Sequence, residues 1–283
     1  MYDVNKLFSG LVQLGEWLRE EAASDDQTLR SAEAQNGWFT PESVAQACQA
    51  HGEALRAEEL DRWRGKYAWH DGPTGLSVGL IMAGNLPMVG WHDVLSVLIA
   101  GHHAVVKCSS EDKVLIPAAI RVLEEALGAE FDGRLAFVQG TLQDVDAVIA
   151  TGSANTNRYF EYYFRDLPKI LRSQRTSVAV LDGSETHSEL QALGSDVFRY
   201  YGLGCRSVTK LMLPRGFDLD RLFGAWVDWG FVAQNNKYAN NYDYHKAVWL
   251  LNQEQLLENG FLLMKEDEGW MSPVGTLFYE WYD

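Results

Sequence analysis

From residue 76 onward the chain repeats one pattern: a short, unbroken apolar run followed by a segment with helical periodicity. The runs are "LSVGLIMA" (76–83), "HAVVK" (103–107), "RLAFVQG" (134–140), "DAVIATG" (146–152) and "TSVAVLDG" (176–183). Between them lie "PMVGWHDVLSVLIA" (87–100), "DKVLIPAAIRVLEEAL" (112–127) and "ANTNRYFEYYF" (154–164), each read as a helix; Pro117 falls early enough in its segment to be tolerated. A strand that is apolar on every residue has no water-facing side. Such strands, alternating with helices, predict a parallel sheet covered on both faces. Ligands of these sheets sit beyond the carboxyl ends of the strands. The residues to weigh are therefore Gly84-Asn85, Lys107 to Ser110, Gly140 and Gly152-Ser153.

A helical region and two α/β domains follow from the pattern. Residues 1–74 form a helical region packed on the sheet, 75–185 a nucleotide-binding α/β domain, and 186–283 a second α/β domain. In the first region Leu7, Leu11, Leu14 and Leu18 recur at helical spacing, and Thr40 before Pro41 reads as an N-cap with proline at the first helical position. "HDGPTG" (70–75) is turn chemistry. In the last region "HSELQALGSDVFRYYG" (187–202) is a helix with Leu190, Leu193 and Val197 inward, "TKLMLP" (209–214) a strand, and the Trp- and Asn-rich stretch after it irregular. The terminal "VGTLFYEWYD" reads as a strand with no closing element, so the second domain is expected to be cut short at its C-terminus.

Composition excludes several classes. A formal net charge of −15 repels phosphate backbones and argues against nucleic acid. The three cysteines, Cys48, Cys108 and Cys205, are widely spaced, giving neither a disulfide framework nor a zinc pair. No apolar run is long enough for a membrane span, and no His/Asp/Glu cluster has metal spacing. The expectation is a cytoplasmic protein with no metal and no stable membrane insertion; a homo-oligomer is left open.

Each candidate residue carries two readings. Cys205, in "YYGLGCRSV" (200–208), is either a small buried hydrophobe or a thiol presented by a Gly-x-Gly turn, its thiolate favoured by Arg206. Cys108 reads as packing or cofactor lining, and Cys48 as structural. Lys107 is either a solvated strand end or a cation facing a nucleotide. Asn85 is either a turn former or an amide donor to an oxyanion. Thr151-Gly152-Ser153 is a strand-to-helix turn whose N–H groups could hold a phosphate, and GxGxxG is absent.

At these positions the chain resembles the aldehyde dehydrogenase superfamily, and within it the acyl-CoA reductase branch that includes the fatty-acid reductase subunit of bacterial bioluminescence. The likeness runs through "GLIMAGNLPMVGWHDVLSVLIAGHHAVVKCSSEDKVL", "DAVIATGSANTNRYFEYYF", "RTSVAVLDGSE", "FRYYGLGCRSV" and "NNKYANNYDYHKA". The resemblance implies an aldehyde-dehydrogenase-like α/β fold with a Rossmann-type nucleotide-binding domain. It implies Cys205 and Asn85 as catalytic residues, Cys205 forming a thioester with the acyl group. It implies Ala83, Lys107, Ser109, Ser110, Gly152 and Ser153 as cofactor-binding. Ser110 stands where NAD-preferring relatives carry a glutamate, which favours NADPH, with NADH the alternative. Val180 stands where aldehyde-oxidising relatives carry a water-activating glutamate; Glu185 or Glu189 are the substitutes at hand. The function expected is therefore that of an oxidoreductase, reducing an acyl-CoA or other acyl thioester, foremost a fatty acyl one, to an aldehyde. The alternatives are a non-catalytic nucleotide- or acyl-binding protein on a degenerate scaffold, and an aldehyde-oxidising dehydrogenase.

Overall fold

The computed structural model describes residues 4–22, 24–67, 75–173 and 175–283. The chain divides into two compact units, 1–174 and 175–283.

The first unit begins with helices α1 (Val4–Trp17), α2 (Asp26–Gln35), α3 (Pro41–Ala54) and α4 (Ala57–Arg64), with a π-helical turn over Leu18–Ala22. Thr40 caps α3 as the sequence predicts: its hydroxyl accepts the Ser43 N–H, and Pro41 opens the helix. Leu7, Leu11, Leu14 and Leu18 are all buried and share one core with Val78, Leu80, Val94 and Leu98 of the α/β layers. Each such leucine contributes roughly 2 kcal/mol by leaving water. The turn expected over 70–75 lies, up to residue 74, outside the described residues.

The α/β part runs β1 (Ser77–Ile81), α5 (Trp91–Ile99), β2 (His103–Lys107), α6 (Leu115–Leu127), β3 (Leu135–Phe137), β4 (Ala147–Thr151), α7 (Ala154–Tyr163) and β5 (Lys169–Arg172). The sheet order is β3-β2-β1-β4-β5, and every pair is parallel. β1 lies in the middle, with β2 and β4 on either side, so the loops after β1, β2 and β4 open on one edge. β5 is the strand of this sheet that sequence reading passes over. "KILR" is short, lies at the sheet edge and leaves Ile170 exposed, so it lacks the apolar run that marks its neighbours.

The second unit holds β6 (Ser177–Val180), α8 (His187–Phe198), β7 (Val208–Pro214), α9 (Asp220–Ala225), α10 (Asn236–Leu251), β8 (Leu257–Glu258), β9 (Leu263–Glu266) and β10 (Thr276–Tyr282). The sheet order is β6-β7-β10-β9-β8. Thus β6, grouped with the earlier strands on pattern alone, hydrogen-bonds to β7 of the second sheet. β10 takes a central place between β7 and β9, parallel to both, with Thr276 to Tyr279 buried. The Asn-rich stretch expected to be irregular is instead the 16-residue helix α10. Asn235 caps it through the N–H groups of Lys237 and Tyr238, and it buries only Tyr238 and Tyr242. An apolar stripe that narrow gives no amphipathic signal.

Among the described residues, no helix is long and apolar enough to cross a membrane, and no group of three or more His, Cys, Asp or Glu side chains is arranged to hold a metal ion.

Candidate active site

The first unit brings three of the predicted loops to one sheet edge. After β1 the chain passes through half-buried Ala83, buried Gly84 and exposed Asn85. It then turns at Met88, whose φ of 56° is left-handed, and enters α5. β2 ends at half-buried Lys107, and half-buried Cys108 and Ser109 follow, then exposed Ser110. These two loops nearly touch. A Cβ on Gly84 would lie 2.4 Å from Ser109 Oγ, 2.6 Å from Ser109 Cβ and 2.9 Å from Glu111 Cβ. Glycine is required at 84 because of that approach.

The residues that hold the loops together were not singled out in the sequence. Asp112, 3 % exposed, accepts the Met88 N–H at 3.1 Å and the Leu115 N–H at 3.2 Å. One carboxylate therefore fixes the loop after β1 and caps the start of α6. Burial pushes its pKa up to about 6, partly offset by the backbone N–H bonds from Met88, Leu115 and Val114. An acidic residue just before an apolar helix is a legible cap signal, but its second partner, 24 residues away, is not. Gln35 and Asn36, at the end of α2, reach the same loops from the helical region. No local pattern could show that.

After β4, Gly152 donates its N–H to the Arg172 carbonyl at 3.1 Å and packs under α7, where a Cβ would meet Thr156 and Phe160 at 3.1 Å. Exposed Ser153 caps α7, its hydroxyl accepting the Thr156 N–H at 3.2 Å. Beside this turn Arg172 donates to both carboxylate oxygens of Asp93, at 2.7 and 2.6 Å, joining the end of β5 to the first turn of α5.

In the second unit α8 stops at Phe198. The following residues have left-handed backbone: φ is 51° at Tyr200, 60° at Tyr201 and 72° at Gly202. Two bulky residues in that region cost free energy, and the packing offsets it. Tyr201 is buried against Tyr238, ring centroids 6.0 Å apart, and the Tyr238 hydroxyl donates to the Phe261 carbonyl at 2.9 Å. The chain then makes a tight turn. Ser207 donates its N–H to the Gly204 carbonyl at 2.9 Å, and its hydroxyl accepts the Gly204 N–H at 3.1 Å. Cys205 and Arg206 sit at the exposed tip, and no hydrogen bond within the described residues uses the Cys205 N–H.

The three thiols differ accordingly. Cys48 is buried and Cys108 half-buried, while Cys205 is exposed. Burial, reinforced by the Asp112 charge, pushes Cys48 up to about 12 and Cys108 up to about 11, so both are protonated near neutrality. Val180, at the end of β6, is 70 % exposed. The two carboxylates considered in its stead are engaged. Glu185 accepts the Asp182 and Gly183 N–H groups at 2.6 and 3.1 Å, and Glu189 closes a capping box with Thr186 at the start of α8.

No family model and no curated protein sequence matches the chain. Solved structures do. The indole-3-acetaldehyde dehydrogenase of P. syringae, solved with NAD+ and IAA, is 16 % identical over 99 % of this chain and 68 % of its own, with a TM-score of 0.69. An aldehyde dehydrogenase of Mycobacterium tuberculosis, complexed with NAD+, is 17 % identical over 99 % and 68 %, with a TM-score of 0.70. The betaine aldehyde dehydrogenase of Staphylococcus aureus is 11 % identical over 99 % and 67 %, also at 0.70. The fold is that of the aldehyde dehydrogenases.

These matches correct the finer assignment. The acyl-CoA reductase branch, with its bioluminescence member, is not what the chain resembles in three dimensions; the matched structures are aldehyde dehydrogenases. Reduction of an acyl-CoA thioester is overturned with it, as is acyl-CoA as the substrate partner, and the matched structures do not support the acyl-thioester intermediate or a cysteine nucleophile attacking such a thioester. The reason lies in the weight of the signals. The sheet pattern and the cysteine turn belong to the scaffold as a whole. Only the missing carboxylate at Val180 separated one branch from the other.

Proposed function

We propose that the protein is an NAD-dependent oxidoreductase that oxidises a free aldehyde to the carboxylic acid. The overall reaction takes an aldehyde, NAD+ and water to the carboxylate, NADH and two protons. The observation that carries this reading is the correspondence of 99 % of the chain to aldehyde dehydrogenase structures, three of them holding NAD+. Supporting it, the loops after β1, β2 and β4 converge where a parallel sheet takes its ligand.

We assign Cys205 and Asn85 as the catalytic residues, and Ala83, Lys107, Ser109, Ser110, Gly152 and Ser153 as the cofactor-binding ones. Cys205 is the accessible thiol of the three. Ser110 leaves room for a 2′-phosphate, which makes NADP(H) the second reading of the cofactor. Against that preference, Glu111 supplies a carboxylate one residue later and its Cβ lies beside Gly84. The three unpaired thiols support a reducing, cytoplasmic setting.

The test is incubation with NAD+ or NADP+ and a panel of aromatic, aliphatic and quaternary-ammonium aldehydes, following reduced cofactor and the acid. Turnover is expected with at least one aldehyde class, and Cys205→Ala is expected to lower it by about a thousandfold or more. Cofactor binding without turnover of any aldehyde would favour the non-catalytic alternative. Full activity in Cys205→Ala would remove that residue from the site.

A further inference from the structure

Helix α2 ends in two neighbouring amides that reach different loops. Asn36 is 1 % exposed; its Nδ2 donates to the Gly84 carbonyl at 3.0 Å, and its Oδ1 accepts the Trp38 N–H at 3.1 Å. Gln35 is half-buried; its Nε2 donates to the Ser110 carbonyl at 3.2 Å, and its Oε1 accepts the Lys113 N–H at 2.9 Å. One residue pair therefore ties down the loop after β1 and the loop after β2, across 48 and 75 residues of sequence. Each amide is used from both ends, as donor and as acceptor, which fixes its orientation. Gly84 and Ser109 are already in contact, so the two loops can neither close further nor, while both amides hold, drift apart.

We propose that Gln35 and Asn36 are positioning residues for the dinucleotide. They touch no cofactor themselves. They act through the Gly84 and Ser110 carbonyls, which set the spacing between Ala83–Asn85 on one side and Lys107–Ser110 on the other. This gives the helical region a role in cofactor affinity, and it rests on the reading of the protein as a dinucleotide-dependent enzyme. A loop held at its bound spacing before the ligand arrives has little ordering left to do. Once a clamp is removed, the loop must be ordered at the expense of binding.

The test uses Gln35→Ala, whose half-buried position should leave the fold intact, and Asn36→Asp, which keeps shape and acceptor but loses the donor to Gly84. Each is titrated directly with NAD+ and, in parallel, with NADP+, without aldehyde. KM for cofactor, KM for aldehyde, kcat at saturating cofactor and Tm are then measured. The cofactor Kd and KM are expected to rise about tenfold, equivalent to about 1.4 kcal/mol. The aldehyde KM and kcat should stay within about twofold of wild type. Gln35→Glu, which restores the acceptor for Lys113, should recover part of the loss. Variants that lose Tm yet bind cofactor as wild type does would overturn the proposal and leave the amides a purely structural role. A wild-type protein that binds neither dinucleotide would overturn the functional reading itself, a result distinct from unchanged affinity in the variants.

Discussion

The loops after β1 and β2 of the first unit and the cysteine turn of the second are built on opposite principles. The loops after β1 and β2 are held by buried or half-buried side chains, most reaching across the sequence: Asp112 on Met88 and Leu115, Asn36 on Gly84, Gln35 on Ser110 and Lys113. Their thiol, Cys108, is partly covered and protonated. The turn at 204–207 is closed by its own residues, follows three left-handed residues, and carries its thiol in solvent. A surface that must match a rigid ligand gains from being fixed in advance. A side chain that must meet a small reactant gains from access.

The widest expected difference is in thiol reactivity. Moving Cys108 from 9.0 to about 11 leaves it roughly a hundredfold less thiolate than an ordinary cysteine at the same pH. Cys48, pushed to about 12, has less again. Native protein treated with a thiol reagent should therefore show one fast-reacting equivalent, lost in Cys205→Ala, with the other two reacting only on unfolding. Fast modification of Cys108 in that variant would erase the contrast between the two regions.

Glycine replacements sharpen it next. Gly84→Ala sets a Cβ 2.6 Å from Ser109 Cβ, so the two loops must part; overpacking of this kind costs about 3 kcal/mol, and cofactor affinity should fall with stability. Gly202→Ala meets only the Val197 carbonyl, at 3.2 Å, and its penalty is the left-handed backbone at φ 72°, about 1–2 kcal/mol. Urea unfolding of both variants beside cofactor titration checks this: cofactor binding should weaken in Gly84→Ala and hold in Gly202→Ala.

A further contrast is a pH dependence in the first unit. Asp112 has its folded pKa raised from 3.8 to about 6, so the folded state binds the proton more tightly than the unfolded chain. Its contribution is fully present below pH 3.8 and is lost as pH rises through about 6, up to roughly 3 kcal/mol. Unfolding free energies at pH 4, 5 and 7 should show that decline in wild type and lack it in Asp112→Asn. Equal pH profiles for the two proteins would mean that the carboxyl is not held as described.

What was legible in the sequence was what local physics dictates. Continuous apolar runs placed their strands to within about three residues at either end, and β2 falls on 103–107 as read. Helix spacing put Leu7, Leu11, Leu14 and Leu18 in the core, and Thr40-Pro41 marked the start of α3. Where local signals were thin, reading failed: edge strand β5 has no apolar run, and α10 buries too few residues to show a period.

By itself, then, the sequence determined the parallel α/β scaffold, the loops at the carboxyl ends of its strands and the turn that carries Cys205, because periodicity and turn chemistry act between residues close in the chain. Only the tertiary structure decided that β6 belongs to the second sheet, that Cys205 is the exposed thiol, and that Gln35, Asn36 and Asp112 hold the loops after β1 and β2. Those facts depend on burial and on hydrogen bonds spanning 24 to 78 residues, and the folded chain alone brings such partners together.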